Sequence, residues 1–327
     1  MKVAVLAGDG IGKEVVPVAV DVLKAVMPEA EYVPVDVGHE RFVREGVPMT
    51  DEDFETIKNC DCILFGAITT PPKRCYKSII LSLRRELDMY ANVRPFKSYT
   101  ISPYKVDFTI YRENCEDLYC GMEEVTEDQV LSTRKITRHA SERIARMACK
   151  RPGLKKLTIV HKANVLRSCE LFRDVCIGIA KEAGVAYEEM LVDAMAYNLI
   201  RNPARFDTIV TTNLFGDILS DEAAALIGGL GLSPSANVGD KHALFEPVHG
   251  SAPDIAGKGI ANPIGQIWSG ALMLEHLGHG EAARVLERAI EATLRDSDVK
   301  TPDMGGKATT VELGKTIEQA VRAALRK

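Results

Sequence analysis

Short β-branched runs alternate with amphipathic stretches from one end of this sequence to the other, and that alternation constrains the fold more than any other feature. Lys2–Ala7, Cys62–Gly66, Val106–Tyr111, Leu157–His161 and Thr208–Thr212 read as strands buried largely on both faces. Glu14–Val26, Ser141–Cys149, Ser168–Ala183 and Glu281–Arg295 carry helical spacing, and Gly184 stops the third of these. Parallel neighbours need a crossover between them, and a helix is its usual form, so the pattern predicts an α/β fold with substantial parallel pairing. At ~150 residues per domain, the 327 residues are enough for two domains. No repeat, low-complexity run or long linker marks a boundary, which favours one domain inserted into the other.

Composition excludes several partners. Lys and Arg total 41 against 46 Asp and Glu, a net charge of −5, whereas a general nucleic-acid binder needs a basic surface. No run approaches the ~18 apolar residues of a membrane span, so a membrane partner is not expected. The opening MKVAVLAGDGIG has no signal-peptide pattern, and a cytoplasmic location is expected. The eight cysteines show no C-x-x-C spacing and no histidine cluster, so reduced core thiols are expected rather than disulfides or zinc.

Five motifs carry candidate chemistry. Gly8-Asp9-Gly10-Ile11-Gly12 follows a strand and opens a helix. Its G-x-G-x-G spacing departs from the Rossmann G-x-G-x-x-G, although Asp36 follows near a candidate strand at Tyr32–Val37; a tight turn or another cofactor contact fits better. Asp217 and Asp221, at i and i+4, share one helical face, and Asp193 opens another helical stretch. Clustered carboxylates suit a hard divalent ion, Mg²⁺ or Mn²⁺; two solvated acids are the plainer alternative. Arg84 and Arg85, then Arg94 and Arg112, with Tyr119 close behind, would grip a polycarboxylate if several of them converge; taken singly, each reads as a surface residue. Lys162 stands at the carboxyl end of a strand, where α/β folds build their sites. Phe245–Pro263 is too rich in glycine for a helix and too interrupted for a strand. Its small residues let backbone N–H groups approach a ligand. Asp254 there suits a ribose diol and would repel a 2′-phosphate, while His249 and Asn262 are placed to face an adenine, which favours NAD.

These motifs, in this order, resemble the β-decarboxylating dehydrogenases that act on isocitrate, 3-isopropylmalate and homoisocitrate. The likeness runs from Gly8 through Thr301-Pro302-Asp303-Met304-Gly305-Gly306 and is most specific at Asn213–Asp221 and Phe245–Pro263. It implies the family's own α/β fold, distinct from Rossmann, with a central mixed sheet and a cleft between two domains, 1–92 with 229–327 and 93–228. It further implies a homodimer with shared active sites. By the same resemblance Arg84, Arg94 and Arg112 clamp the malate carboxylates, and Tyr119 protonates the enolate carbon. Lys162 and Asp193 reach into the neighbouring subunit's site, and Asp193, Asp217 and Asp221 bind the metal. Ile11, Thr70, Glu246, His249, Gly250, Ser251, Ala252, Asp254, Ile255 and Asn262 fall at cofactor-contacting positions. The family's NADP enzymes usually carry Lys-Tyr where this chain has Asp254-Ile255, which again implies NAD.

The resemblance also bears on which malate is used. Lys77 stands where isopropylmalate enzymes tend to place a glutamate, and Ser78 matches a serine of isocitrate enzymes. A cation and a hydroxyl beside the pocket favour a tail ending in carboxylate, as in homoisocitrate. Ile80 and Leu81 stay apolar and keep 3-isopropylmalate as the alternative. A catalytically silent regulatory subunit is a further alternative, weakened by the expected residue type at every catalytic position.

Overall fold

The computed structural model describes residues 1–71, 76 and 78–326. Among them lie strands β1 (Lys2–Gly8), β2 (Glu31–Pro34), β3 (Cys62–Ala67), β4 (Ala91–Lys97), β5 (Asp107–Glu113), β6 (Glu123–Val125), β7 (Val130–Ser132), β8 (Leu157–His161), β9 (Tyr187–Leu191), β10 (Thr208–Thr211), β11 (Pro234–Val238) and β12 (Ala243–Pro247). The helices are α1 (Gly12–Val26), α2 (His39–Glu45), α3 (Asp51–Lys58), α4 (Ile79–Glu86), α5 (Arg138–Cys149), α6 (Arg167–Glu182), α7 (Val192–Arg201), α8 (Asn213–Ile227), α9 (Ile264–His276), α10 (Gly280–Asp296) and α11 (Thr310–Leu325).

Ten strands form one mixed sheet in the order β2-β1-β3-β12-β11-β4-β5-β10-β8-β9. Two parallel blocks, β2-β1-β3-β12 and β5-β10-β8-β9, flank an antiparallel centre in which β11 and β4 pair with each other and with their outer neighbours. The first block draws on the two ends of the chain and the second on its middle, so the molecule is an α/β protein built around a discontinuous crossing. Core strands such as β3 and β8 are buried at every position, as apolar runs covered by helices on both faces must be. The remaining pair, β6 and β7, stands apart as an exposed hairpin.

Two sequence expectations need correction. The stretch read as irregular from Phe245 is strand up to Pro247, because β12 is wholly buried between β3 and β11. The candidate strand at Tyr32–Val37 ends at Pro34, and Asp36 beyond it pairs with Arg44 at 2.5 Å. Ala91–Lys97 forms a central strand despite Pro95, since β11 pairs only with Ala91–Val93 and Pro95 breaks no bond on that side. The described cysteines are all free thiols.

The glycine turn is a structural joint. A Cβ on Gly8 would lie 2.0 Å from the Ala67 oxygen, and Gly10 takes φ +56° against the Ser251 carbonyl. Between them the buried Asp9 carboxylate accepts the backbone N–H groups of His39, Glu40 and Thr69, each at 2.9 Å. This turn therefore ties β1, α2 and the end of β3 together. No helix of the described residues is long and apolar enough to cross a membrane.

Candidate active site

Three arginines from three elements converge. Arg84 lies in the last turn of α4, and Arg94 and Arg112 come from the adjacent strands β4 and β5; all three are buried. Arg85, next to Arg84 in sequence, is exposed. Arg84 Nη2 donates to Glu246 Oε1 at 3.0 Å, and the same oxygen accepts Asn237 Nδ2 at 2.7 Å. Arg94 Nη1 donates to Ser220 Oγ at 2.5 Å. Arg112 Nε donates to Asn213 Oδ1 at 2.9 Å, and its Nη1 bonds Asp217 Oδ1. Gly216 makes that approach possible, since a Cβ there would lie 2.6 Å from Arg112 Cγ.

Helix α8 presents Asp217 and Asp221 on one face. Arg94 Nη1 lies 3.9 Å from an oxygen of Asp217 and 3.6 Å from one of Asp221, so both carboxylates face one point. The Tyr119 hydroxyl donates to Asp217 Oδ2, and the Arg112 guanidinium sits 5.2 Å from the Tyr119 ring centre. Burial, with Arg94 and Arg84 beside it, pushes the Arg112 guanidinium down to about 9. Burial and the bond to Asp217 raise the Tyr119 phenol, so it stays protonated at neutral pH. Burial would raise Asp217, but Arg112, the Tyr119 bond, Arg94 and Arg84 override it and hold the carboxyl below its ordinary value. Asp221 moves the other way, raised by burial and by Asp217 against the pull of Arg94.

Lys162 and Asp193 are not part of this cluster within one chain. Lys162 Nζ bonds Asp193 Oδ1 in the first turn of α7, and that bond holds Asp193 below its ordinary pKa. Among the described residues no three His, Cys, Asp or Glu side chains group closely enough to hold a metal. One chain thus offers two of the three expected metal ligands together. Apolar side chains close to this pair in the chain stand out in solvent: Val165, three residues after Lys162, and Tyr197 and Ile200 on α7 are each at least half exposed.

The glycine-rich segment after β12 lies against the N-terminal turn. Ile11 N donates to Ser251 O at 3.0 Å, Thr69 Oγ1 to Ser251 Oγ at 2.8 Å, and Gly257 N to Glu14 Oε1 at 2.6 Å. His249 is buried, which lowers its imidazole pKa, and its Nε2 has no partner. Asn262 is fixed by bonds to Asp303 and Ile264 N, each at 3.0 Å. Gly250 has open space where a side chain would stand. Ala252 takes a positive φ of 41°, and Asp254 is exposed while Ile255 is half-buried. Thr70 Oγ1 reaches Ser78 Oγ at 3.4 Å, at the start of α4. Ile80 packs partly into the core beneath that helix, and Lys77 lies outside the described residues.

The chemistry of these residues bears on the divalent ion and the dinucleotide that the sequence resemblance implies. Two carboxylates facing one point suit a hard divalent ion, which commonly takes one or two protein carboxylates with substrate and water oxygens. A neutral imidazole with an unpartnered buried nitrogen, beside open glycines, suits a planar heterocycle with a hydrogen-bonding edge. The residues fit both groups.

Sequence reasoning missed several supports of the site: Ser220, Asn213, Asn237, Asp117 and Arg134. The Asp117 carboxylate is fully buried and accepts Arg134 Nε at 2.6 Å. Asn213 and Ser220 stand four residues before and three after Asp217 on α8, a helical spacing that could have found them, whereas the others had only their polarity beside the motifs as a signal.

Comparison with known proteins shows the family and the fold. The family description "Isocitrate/isopropylmalate dehydrogenase" matches residues 2–319. The chain is 46% identical to the homoisocitrate dehydrogenase of Methanocaldococcus jannaschii, covering 100% of this chain and 99% of that one. It is 47% identical to the 3-isopropylmalate dehydrogenase of Methanothermobacter thermautotrophicus, covering 97% of each. The structure resembles that of isocitrate dehydrogenase from Methylococcus capsulatus with a TM-score of 0.95, at 41% identity over 98% of this chain and 99% of that one.

Proposed function

Since this chain belongs to the isocitrate/isopropylmalate dehydrogenase family and is an oxidoreductase, we propose that it oxidatively decarboxylates a 3-substituted malate, homoisocitrate first, using NAD⁺ and Mg²⁺ or Mn²⁺. The observation that carries this reading is the convergence of Arg84, Arg94 and Arg112 on a point also faced by Asp217, Asp221 and the Tyr119 hydroxyl. Converging guanidiniums recognise a di- or tricarboxylate, and α8 supplies acceptor oxygens for a hard cation.

When bound, NAD⁺ supplies the hydride acceptor and the divalent ion a Lewis acid. The three arginines orient the carboxylates so that the C2 hydrogen faces the cofactor. Lys162, reaching in from the neighbouring subunit, assists removal of the C2 hydroxyl proton as hydride leaves C2. The bond from C3 to its carboxyl group then breaks, releasing CO₂ and leaving the electron pair in an enolate. Tyr119 gives its proton to C3, completing the 2-oxo acid; its raised pKa keeps that proton available.

Lys162 and Asp193 act across a homodimer in this reading. Exposed apolar side chains near them in the chain, Val165, Tyr197 and Ile200, support a second copy of this chain as the cover. The exposed β6–β7 hairpin, with Val130 and Leu131, offers a second such surface. Residues 1–92 with 229–327 and residues 93–228 form the two domains: Arg84 and Glu246 come from the first, and Arg94, Arg112, Tyr119 and α8 from the second.

The choice of homoisocitrate rests on Lys77 and Ser78. Ile80, only partly buried, favours 3-isopropylmalate as the second reading. NADH formation by the purified protein with Mg²⁺ or Mn²⁺ separates them, using homoisocitrate, isocitrate and 3-isopropylmalate with NAD⁺ and NADP⁺. Homoisocitrate with NAD⁺ is expected to give the largest kcat/KM. A far larger value with 3-isopropylmalate refutes the substrate assignment, and no NADH with any of the three refutes the function.

A further inference from the structure

Between β5 and the Tyr119 turn, one residue adopts a backbone conformation that side chains avoid. Asp117 has φ 69° and ψ −150°, a region occupied essentially by glycine. It is also fully buried as a carboxylate. An aspartate in a glycine conformation persists only if its side chain does something that glycine cannot.

The contacts identify that task. Oδ1 accepts the N–H of Leu118 at 2.9 Å, in the short turn that carries Tyr119. Oδ2 accepts the N–H of Leu214 at 3.1 Å, in the first turn of α8, three residues before Asp217. Arg134 spans both oxygens, at 2.6 Å from Nε and 3.4 Å from Nη2. It also donates to Thr212 Oγ1 at 2.9 Å and to Ser168 Oγ at 3.0 Å. The Asp117 backbone pairs with Lys135 as well, N–H to carbonyl at 2.8 Å. One carboxylate therefore clips the tyrosine turn to the head of the aspartate helix.

We propose that Asp117 is a positioning residue, a carboxylate clip that fixes the Tyr119 hydroxyl relative to α8, with Arg134 as its counter-charge. This rests on the reading that Tyr119 delivers the proton to C3. Asparagine at 117 would keep the size but turn an N–H₂ group toward backbone donors, opening one half of the clip. Glycine would relax the backbone and leave Arg134, mostly buried, without its carboxylate partner. Relaxation alone therefore does not restore function.

The test compares Asp117→Asn, Asp117→Gly, Tyr119→Phe and the unaltered protein. Turnover is measured together with solvent-deuterium wash-in at C3 of the 2-oxo acid product, with NADH and Mg²⁺ present. Wash-in reads proton exchange at C3 separately from hydride transfer. Misplacement of a reacting group by about 1 Å costs about 10²-fold, so kcat and wash-in are each expected to fall by about that factor in both Asp117 variants. KM is expected to stay within about threefold, and the far-ultraviolet circular dichroism to stay unchanged. Turnover and wash-in near the unaltered values in either variant would overturn the clip. So would loss of folded protein in parallel with activity in both variants, which would make Asp117 a structural residue only. An inactive unaltered protein, or full turnover in Tyr119→Phe, would overturn the functional reading and the clip with it. Expected behaviour of those two controls beside an indifferent Asp117→Asn would remove the clip alone.

Discussion

Replacing Asp217 by asparagine separates the metal site from the fold. The substitution keeps the shape of the side chain and removes one negative charge that faces three buried arginines. Arg112 is 2% exposed at its side chain and Asp217 37%. Breaking a fully buried ion pair costs about 3–5 kcal/mol, and solvent screening at the part-exposed carboxylate lowers this to about 1–3 kcal/mol. Unfolding entropy of about 2.1 cal/mol/K per residue makes 1 kcal/mol worth about 1.5 °C here. Asp217→Asn is therefore expected to melt ~2–4 °C below the unaltered protein without metal. Added Mn²⁺ at a hundred times its Kd stabilises the unaltered protein by about 2.7 kcal/mol, or about 4 °C. That increment should vanish in Asp217→Asn, and turnover should fall by about 10³-fold or more. Thermal melts with and without Mn²⁺, beside steady-state rates, read both effects. An undiminished metal-induced shift, or full turnover, would refute the role given to α8.

Three further outcomes follow from the same geometry. Burial and Asp217 raise the pKa of Asp221, whereas Asp217 is held low. Mn²⁺ affinity should therefore weaken as pH falls through the raised Asp221 value while Asp217 remains ionised; calorimetric titrations across pH would show release of up to one proton on binding, and a flat profile would contradict it. Asp254→Lys combined with Ile255→Tyr should cut the NAD⁺-over-NADP⁺ preference in kcat/KM by about tenfold or more, read from initial rates with both nucleotides. Tyr197→Glu should place a charge in the apolar surface on α7 and yield monomers in light-scattering chromatography, with activity lost together with the dimer.

The fold was legible wherever local periodicity decides it. Leu157–His161 matches β8 to the residue, and the helix ending at Gly184 stops within a residue of its expected end. The sheet order was not, because β11 and β4 meet through contacts between residues more than a hundred positions apart. Pro95 hid β4: a proline argues against a central strand unless one knows that the neighbour on one side ends before it. In the site, the chemistry of Arg84, Arg94, Arg112, Asp217 and Asp221 could be read from residue type and spacing. Their convergence could not, since it depends on β4 lying beside β5 and on Gly216 admitting the Arg112 stem. Asp117 was invisible for a further reason. Its role comes from a backbone conformation, and nothing in the letters Cys115-Glu116-Asp117-Leu118 marks a positive φ.

Mixing two inactive variants tests the shared site most directly. Asp217→Asn and Lys162→Ala are each expected to be inactive as homodimers. After denaturation and joint refolding, half of the dimers should be hybrids, and each hybrid would hold one site with intact Asp217 facing the partner's intact lysine. Recovery of about a quarter of the unaltered specific activity is the expected result. If Lys162 served its own chain, no hybrid site would be complete, and a mixture that stays inactive while hybrids form would contradict the shared site.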